Sequence, residues 1–82
     1  MSSENVRVEI ATPKGMFVGD FPKTAKIQDI IRTVASEKGL NPSDGLELVH
    51  EGTVLQPEER PLVSFGLEGT VSVELVAQGS GV

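Results

Sequence analysis

The sequence contains no cysteine, tryptophan or tyrosine among its 82 residues. Without cysteine, the chain can form neither a disulfide nor a thiolate metal site, and it has no cysteine nucleophile. The aromatic residues are Phe17, Phe21 and Phe65, which offer little surface for stacking on nucleic-acid bases. His50 is the only histidine, so one chain cannot supply a multi-histidine metal site either.

Long apolar runs are also missing. The longest has only a few residues, whereas a helix needs about 20 to span a bilayer, and residues 1–5 lack the basic and apolar regions of a signal peptide. Twelve acidic against seven basic residues give a net charge of −5, which opposes binding to phosphate backbones and anionic lipid. We therefore expect a soluble, cytoplasmic monomer that binds neither nucleic acid nor membrane.

Sequence patterns of catalysis are absent as well. No G-x-G-x-x-G or G-x-x-x-x-G-K-[ST] motif occurs, and the serines lack a base within a recognisable motif. The acidic pair Glu58–Glu59 is accompanied by neither a calcium-ligand pattern nor an apolar element that would form a substrate pocket. We expect a protein that is not an enzyme and that holds no metal or cofactor.

The strongest periodic signal lies between Thr24 and Gly39. Gly39 supplies a left-handed helix end, and Pro42 prevents continuation. Thr24 is a candidate N-cap, although Lys26 directly precedes the first periodic residue. We predict a helix over about Ala25–Lys38. Its apolar residues recur at the spacing of one helical face, namely Ile27, Ile30, Ile31, Val34 and Ala35.

Alternating apolar residues predict strands on both sides of this helix. In the second strand we place Phe17 and Phe21 in the core and leave Met16 and Val18 outside, and Gly19 marks either a bulge or a close approach of the helix. A helical turn is expected near the end of the chain, pinned by Leu62, Phe65 and Leu67. The strands centre on Val6–Ile10, Met16–Phe21, Leu46–Val49, Val54–Leu55 and Val71–Leu75.

This order predicts an α+β fold, with a mixed sheet in the order ββαββ-turn-β packed on one helix. The Val-rich first and last strands are expected to be central, parallel neighbours. We divide the chain into a flexible N-terminus at residues 1–5, one domain at 6–77 and a flexible tail at 78–82.

Several short segments occur in the order and spacing of a known family. They are Lys14-Gly15, Ile27, Lys38-Gly39-Leu40-Asn41-Pro42, Leu48-Val49-His50-Glu51-Gly52, Leu55, Leu62, Phe65 and Leu67. Through them the chain resembles ubiquitin and its relatives from Val6 to about Gly79, at low direct identity. The resemblance implies a β-grasp fold that acts through other proteins, either by covalent attachment through a C-terminal glycine or by docking of a sheet face.

The tail departs from the pattern of the attached family members, which end in two glycines. Here single glycines, Gly79 and Gly81, are separated by Ser80 and followed by Val82. Trimming after Gly79 or Gly81 would expose one terminal glycine and make the chain a precursor of a protein modifier handled by activating and conjugating enzymes. Otherwise the tail is a spacer, and the chain is a non-conjugated adaptor or a ubiquitin-like domain of a larger protein. A sulfur carrier would need a terminal diglycine, so this role is disfavoured.

The resemblance also predicts a docking face. Val49 takes the position of the isoleucine at the centre of ubiquitin's binding patch, and on strand alternation it points away from Leu46 and Leu48. Glu74 breaks the apolar patch. This leaves a smaller apolar spot formed by Val49, Ala11 and Val76, with Arg7 and Glu74 at its rim. The candidate partner-binding residues are Arg7, Ala11, Val49, Ser72, Glu74 and Val76.

Overall fold

The strands and helices follow the order that the sequence predicts. The structure is a computed structural model that describes residues 5–41 and 45–77. Pro42, Gly79 and Gly81 lie outside the described residues. Asn5, which we assigned to the N-terminal segment, instead begins the first strand and pairs with Pro22. The elements are β1 (Asn5–Thr12), β2 (Gly15–Pro22), α1 (Ile27–Lys38), β3 (Leu46–His50), β4 (Thr53–Val54), a 3₁₀-helix (Leu62–Phe65) and β5 (Thr70–Ala77).

The five strands form one mixed sheet in the order β2-β1-β5-β3-β4. β1 and β5 are central neighbours and run parallel, as predicted, whereas the other neighbouring pairs are antiparallel. The hairpin between β3 and β4 is tight, because Glu51 (φ 51°) and Gly52 (φ 81°) form a two-residue left-handed turn. This confirms the predicted α+β fold class.

The apolar core lies between one face of the sheet and α1. All five periodic apolar residues of the helix are buried, which confirms the face that their spacing predicts. Each central strand contributes alternate residues. The segment around the 3₁₀-helix adds Leu62 and Leu67, and Phe65 packs half-buried against the core. The buried residues are Val6, Val8, Ile10, Ile27, Ile30, Ile31, Val34, Ala35, Leu46, Leu48, Leu55, Leu62, Leu67, Val73 and Leu75.

The helix begins later than the sequence predicts, at Ile27, and the N-cap position belongs to Lys26 rather than Thr24. Lys26 makes no side-chain cap. Instead, the loop before the 3₁₀-helix caps the helix with its backbone: the amide of Ile27 donates to the Arg60 carbonyl (3.1 Å) and that of Gln28 to the Glu58 carbonyl (3.0 Å). Because these partners come from a distant segment, no local capping motif is needed.

The helix ends where its sequence signal predicts. Gly39 adopts the left-handed conformation (φ 67°), and its amide and that of Leu40 both donate to the Ala35 carbonyl. Such bonds satisfy carbonyls that the last helical turn leaves without partners. No helix in the described part of the chain is long and apolar enough to cross a membrane.

The inward phase predicted for β2 is confirmed. Phe17 and Phe21 are half-buried and pack on the core, with ring centroids 6.4 Å apart, whereas Met16 and Val18 are exposed. The register with β1 runs without interruption through Gly19, so there is no bulge. A Cβ at Gly19 would lie 2.9 Å from Cε1 of Phe17 and 3.3 Å from Cε2 of Phe21. The two phenyl rings therefore explain why position 19 is a glycine, and neither a bulge nor the helix is the reason.

Candidate protein-binding face

The side of the sheet away from α1, called the outer face below, carries the predicted partner-binding residues. On this face one row of directly opposed residues crosses all five strands. Ala11 on β1 pairs with Met16 on β2 and with Glu74 on β5, and Glu74 in turn pairs with Val49 on β3. Val49 also pairs with Val54 on β4. The row is thus apolar except at Glu74, which stands in its middle.

A shallow depression of about 270 Å³ lies along this row. Ala11, Met16 and Val49 contribute apolar side chains to it, and Gly52 of the β3–β4 turn also lines it. The depression is lined by Glu9, Ala11, Met16, Val49, Glu51, Gly52, Ser72, Val73 and Glu74. The structure therefore brings four of the six predicted residues, Ala11, Val49, Ser72 and Glu74, into one site.

The two remaining predicted residues lie elsewhere on the outer face. Arg7 pairs with Asp20 and Thr70 and lines a separate polar depression of about 260 Å³. It is four residues from Ala11 along β1, a distance of roughly 13 Å. Val76 is 36% exposed and pairs with Glu47, outside the depression around Val49. Arg7 thus does not rim the apolar spot as expected, and Glu74 lies inside it rather than at its edge.

Met16 is a further candidate residue of the site. The sequence pattern predicts that it lies outside the core, but the predicted binding residues do not include it. The length of the turn between β1 and β2 could have identified it. A two-residue turn at Pro13-Lys14 pairs Thr12 with Gly15, and the next pair in that register is Ala11 with Met16. Met16 is 56% exposed, and its flexible thioether side chain adapts to different apolar partners.

The electrostatic character of the depression is acidic. Three carboxylates line it, those of Glu9, Glu51 and Glu74, and Glu74 lies within the apolar row itself. The Ser72 hydroxyl donates a hydrogen bond to Glu9 Oε1 (3.4 Å), and Nε2 of His50 lies 4.0 Å from Oε2 of Glu51. Within residues 5–41 and 45–77, no three acidic or histidine side chains lie close enough together to hold a metal ion. The three carboxylates give the depression a negative potential.

A second acidic group lies at the loop that caps α1. Burial raises the pKa of the Glu58 carboxyl above its usual 4.5, and the negative charges of Glu47 and Glu59 raise it further. Glu47 is the residue that pairs with Val76 on the outer face. Negative charge therefore extends from the depression toward this loop.

Comparisons with known proteins place this geometry in a structural context. No protein-family model matches the sequence, and a search of curated proteins finds no significant relative. Solved structures do match over nearly the whole chain. The ubiquitin of Caldiarchaeum subterraneum is 20% identical with a TM-score of 0.78, and the alignment covers 95% of this chain and 99% of that one.

Two ubiquitin-like domains match as well. A ubiquitin-like domain of an Arabidopsis thaliana protein has a TM-score of 0.80 at 14% identity, with 96% of this chain and 83% of that one covered. The N-terminal ubiquitin-like domain of another protein has a TM-score of 0.76 at 19% identity, with 94% and 78% covered. At these identities the likeness establishes the fold. The chain has the ubiquitin-like β-grasp fold.

Proposed function

We propose that this protein acts without catalysis, by binding other proteins through the depression around Val49. The observation that carries the proposal is that apolar Ala11, Met16 and Val49 line the same depression as the carboxylates of Glu9, Glu51 and Glu74. Apolar surface gives contact area, and the surrounding charges select the partner and speed its association. Four strands provide the lining, which holds the site on a rigid support.

The chemistry of the depression favours a particular class of partner. A complementary surface presents an apolar side chain between lysines or arginines, because the cations then face Glu9, Glu51 and Glu74. Since a depression of this size buries little surface and its charges are open to solvent, we expect weak affinity that falls as salt is added. A purely apolar partner is disfavoured, because it would cover the Glu74 carboxylate without pairing it.

The test uses a synthetic peptide that carries leucine flanked by lysines, and a control peptide in which glutamates replace the lysines. The lysine peptide should shift the backbone NMR signals of Ala11, Val49 and Glu74 at low salt, and the glutamate peptide should not. Glu74→Lys should abolish these shifts, whereas Glu37→Lys on the exposed side of α1 should not. Equal responses to both peptides, or shifts confined to another surface, would contradict the proposal.

A second candidate function, covalent attachment to other proteins, is favoured by the glycines of the tail. Gly79 follows the last residue of β5, Ala77, by two positions, and Gly81 follows Gly79 by two more. Trimming at either glycine would leave a modifier with a single terminal glycine. The alternative is a non-conjugated adaptor or a ubiquitin-like domain of a larger protein.

Intact-mass spectrometry of the protein from its native cell separates the two. A species that ends at Gly79 or Gly81, or one joined to a lysine of another protein, supports the modifier. If every molecule retains the residues after Gly81 and none is linked, the modifier hypothesis is wrong and the adaptor remains.

A further inference from the structure

β2 is a terminal strand of the sheet, and its hydrogen-bonded strand neighbour in the described chain is β1. It is eight residues long, from Gly15 to Pro22. Alternate residues of a terminal strand present N–H and C=O groups that point away from the sheet and can pair with another strand. The opposite edge differs, because β4 has only two residues.

β2 has few of the features by which natural proteins block such an edge. Its register with β1 is continuous from Gly15 to Pro22, so no bulge twists it away. The strand contains no lysine or arginine, and its one proline is its last residue. Asp20 is its single charged residue. The exposed side chains beside it are apolar, with Val18 at 45% exposure.

We propose that β2 pairs edge to edge with β2 of a second copy of this chain, antiparallel and about a two-fold axis at Phe17. The two sheets then form one continuous sheet. The β2 edge shares Met16 with the depression around Val49. Pairing of the strand backbones needs no partner in that depression, so the proposal does not depend on the proposed function.

The side chains of β2 select this register. Opposed residues in an antiparallel pair lie on the same face, so the sum of their numbers is even. With Phe17 on the axis, Met16 faces the second copy's Val18. Lys14, in the turn one residue before β2, is brought close to the second copy's Asp20. Symmetry repeats both contacts. Lys14 and Asp20 are exposed and of opposite charge, and the contact brings a second cation to Asp20, which already opposes Arg7 within the chain.

Neighbouring registers lack this complementarity. With Val18 on the axis, Met16 would face the second copy's Asp20, and an apolar side chain would oppose a carboxylate. With Gly19 on the axis, Val18 would face Asp20 and Met16 would face Pro22. Of these three registers, the one centred on Phe17 separates apolar from charged contacts.

The dimer should be weak. With Phe17 on the axis, the β2 residues that oppose each other run from Gly15 to Gly19, about 17 Å of strand. Pairing along this edge buries much less than the roughly 1,200 Å² found in stable interfaces. We expect a dissociation constant on the order of 10⁻⁴ M, so the chain is monomeric when dilute and dimeric when concentrated.

Sedimentation equilibrium over roughly ten micromolar to one millimolar tests the proposal. Lys14→Glu and Asp20→Lys should each weaken the dimer by about tenfold, because each places like charges together at both symmetric contacts. The double variant should restore it, because Glu then faces Lys. Since Asp20 also opposes Arg7 within the chain, circular dichroism melts of all three variants confirm that the monomer remains folded.

A cross-linking experiment tests the position of the axis. Directly opposed residues of antiparallel strands have Cα atoms about 4.5–5.5 Å apart, within the range that a disulfide bridges. Because the chain has no cysteine, Phe17→Cys introduces a single thiol. It should oxidise to a covalent dimer faster than Val63→Cys, whose thiol would occupy a 48% exposed position on the 3₁₀-helix.

Three results would overturn the proposal: a monomer at every concentration, a dimer indifferent to the charges at Lys14 and Asp20, or equal cross-linking of both cysteine variants. A monomer at every concentration would mean that the β2 edge does not bind a second copy, and a strand of a different protein would then be the candidate partner. The second would place the contact between copies on another surface.

Discussion

Val49 and Glu74 are directly opposed cross-strand partners near the centre of the outer face. Opposed side chains in such a pair are about 5 Å apart at their Cβ atoms. An apolar group that contacts Val49 therefore also comes close to the carboxylate of Glu74. This proximity explains why a partner with both apolar and positive side chains fits the site better than an apolar one.

The substitution Val49→Asp tests whether Val49 belongs to the binding surface or to the core. Two carboxylates would then oppose each other at positions 49 and 74, which should lower the free energy of unfolding by less than about 1 kcal/mol. Binding of the lysine–leucine peptide should be lost. Chemical denaturation measures the first effect and NMR titration the second.

The neighbouring residue provides the control for that substitution. Leu48 points into the core and is 1% exposed, so Leu48→Ala should cost about 2–5 kcal/mol. If Val49→Asp destabilises the protein as much as Leu48→Ala, Val49 belongs to the core and its role in the proposed function is wrong.

Gly19→Ala should destabilise the protein by about 1 kcal/mol, because an added methyl group must displace the phenyl ring of Phe17. The backbone of Gly19 is not in the left-handed region, so the cost comes from side-chain contact alone. Thermal denaturation measures it.

Shortening the obstructing ring provides the matched control. In a Phe17→Leu background, the same Gly19→Ala change should cost clearly less, since the atom nearest to the new methyl group is gone. Equal costs in both backgrounds would show that Phe17 does not determine the need for glycine.

The fold was predictable because its signals are local and repeated. Periodic apolar residues predicted the buried helix face from Ile27 to Ala35 and the alternation in β1 and β5. A single glycine, Gly39, predicted the helix end, because glycine readily adopts the left-handed conformation found there. The helix start was not predictable in this way, because the amides of its first turn bond to carbonyls of residues 58–60, far away in sequence.

The candidate site was predictable in part for a similar reason. Strand alternation assigned Val49, Ser72 and Glu74 to the outer face. Alternation shows which face a residue lies on, but it does not show where along the strand the residue meets a depression. Arg7 was therefore grouped with the site, although it lines a separate depression further along β1. Met16 required the hairpin register, which follows from turn length and not from residue type.

Lys26→Asp should raise the free energy of unfolding by about 0.5 kcal/mol. It replaces a cation at the positive end of α1 with an anion, and it introduces a side chain that accepts hydrogen bonds from N-terminal helix amides. The gain should be modest because backbone carbonyls already receive the amides of Ile27 and Gln28. Urea denaturation at low and high salt measures both the gain and its screening.

Thr24→Ala is the matched control at the other candidate cap position. Because the cap position belongs to Lys26, removing the Thr24 hydroxyl should change stability by no more than about 0.5 kcal/mol. A loss of 1 kcal/mol or more at Thr24 would show that the sequence-based choice of cap was right after all.

Glu58→Gln should stabilise the protein at neutral pH, and the benefit should vanish in acid. The folded chain raises the pKa of Glu58 above 4.5 through burial and through the charges of Glu47 and Glu59. The folded state therefore binds the proton more tightly than the unfolded state, so ionised Glu58 opposes folding above its folded pKa. This opposition is removed as the pH falls through the raised pKa toward 4.5, where both states become protonated.

The measurement is the difference in unfolding free energy between Glu58→Gln and the parent chain across pH 4 to 8. The difference should be positive but small at neutral pH, because Glu58 is partly exposed and solvent screens its neighbours. It should decrease with added salt and with falling pH. Glu37→Gln, on the exposed side of α1 and away from this acidic group, controls for the loss of one negative charge and should show a flatter profile. A benefit of Glu58→Gln that grows toward acid would reverse the sign of the linkage and refute the assignment of a raised pKa to this carboxyl.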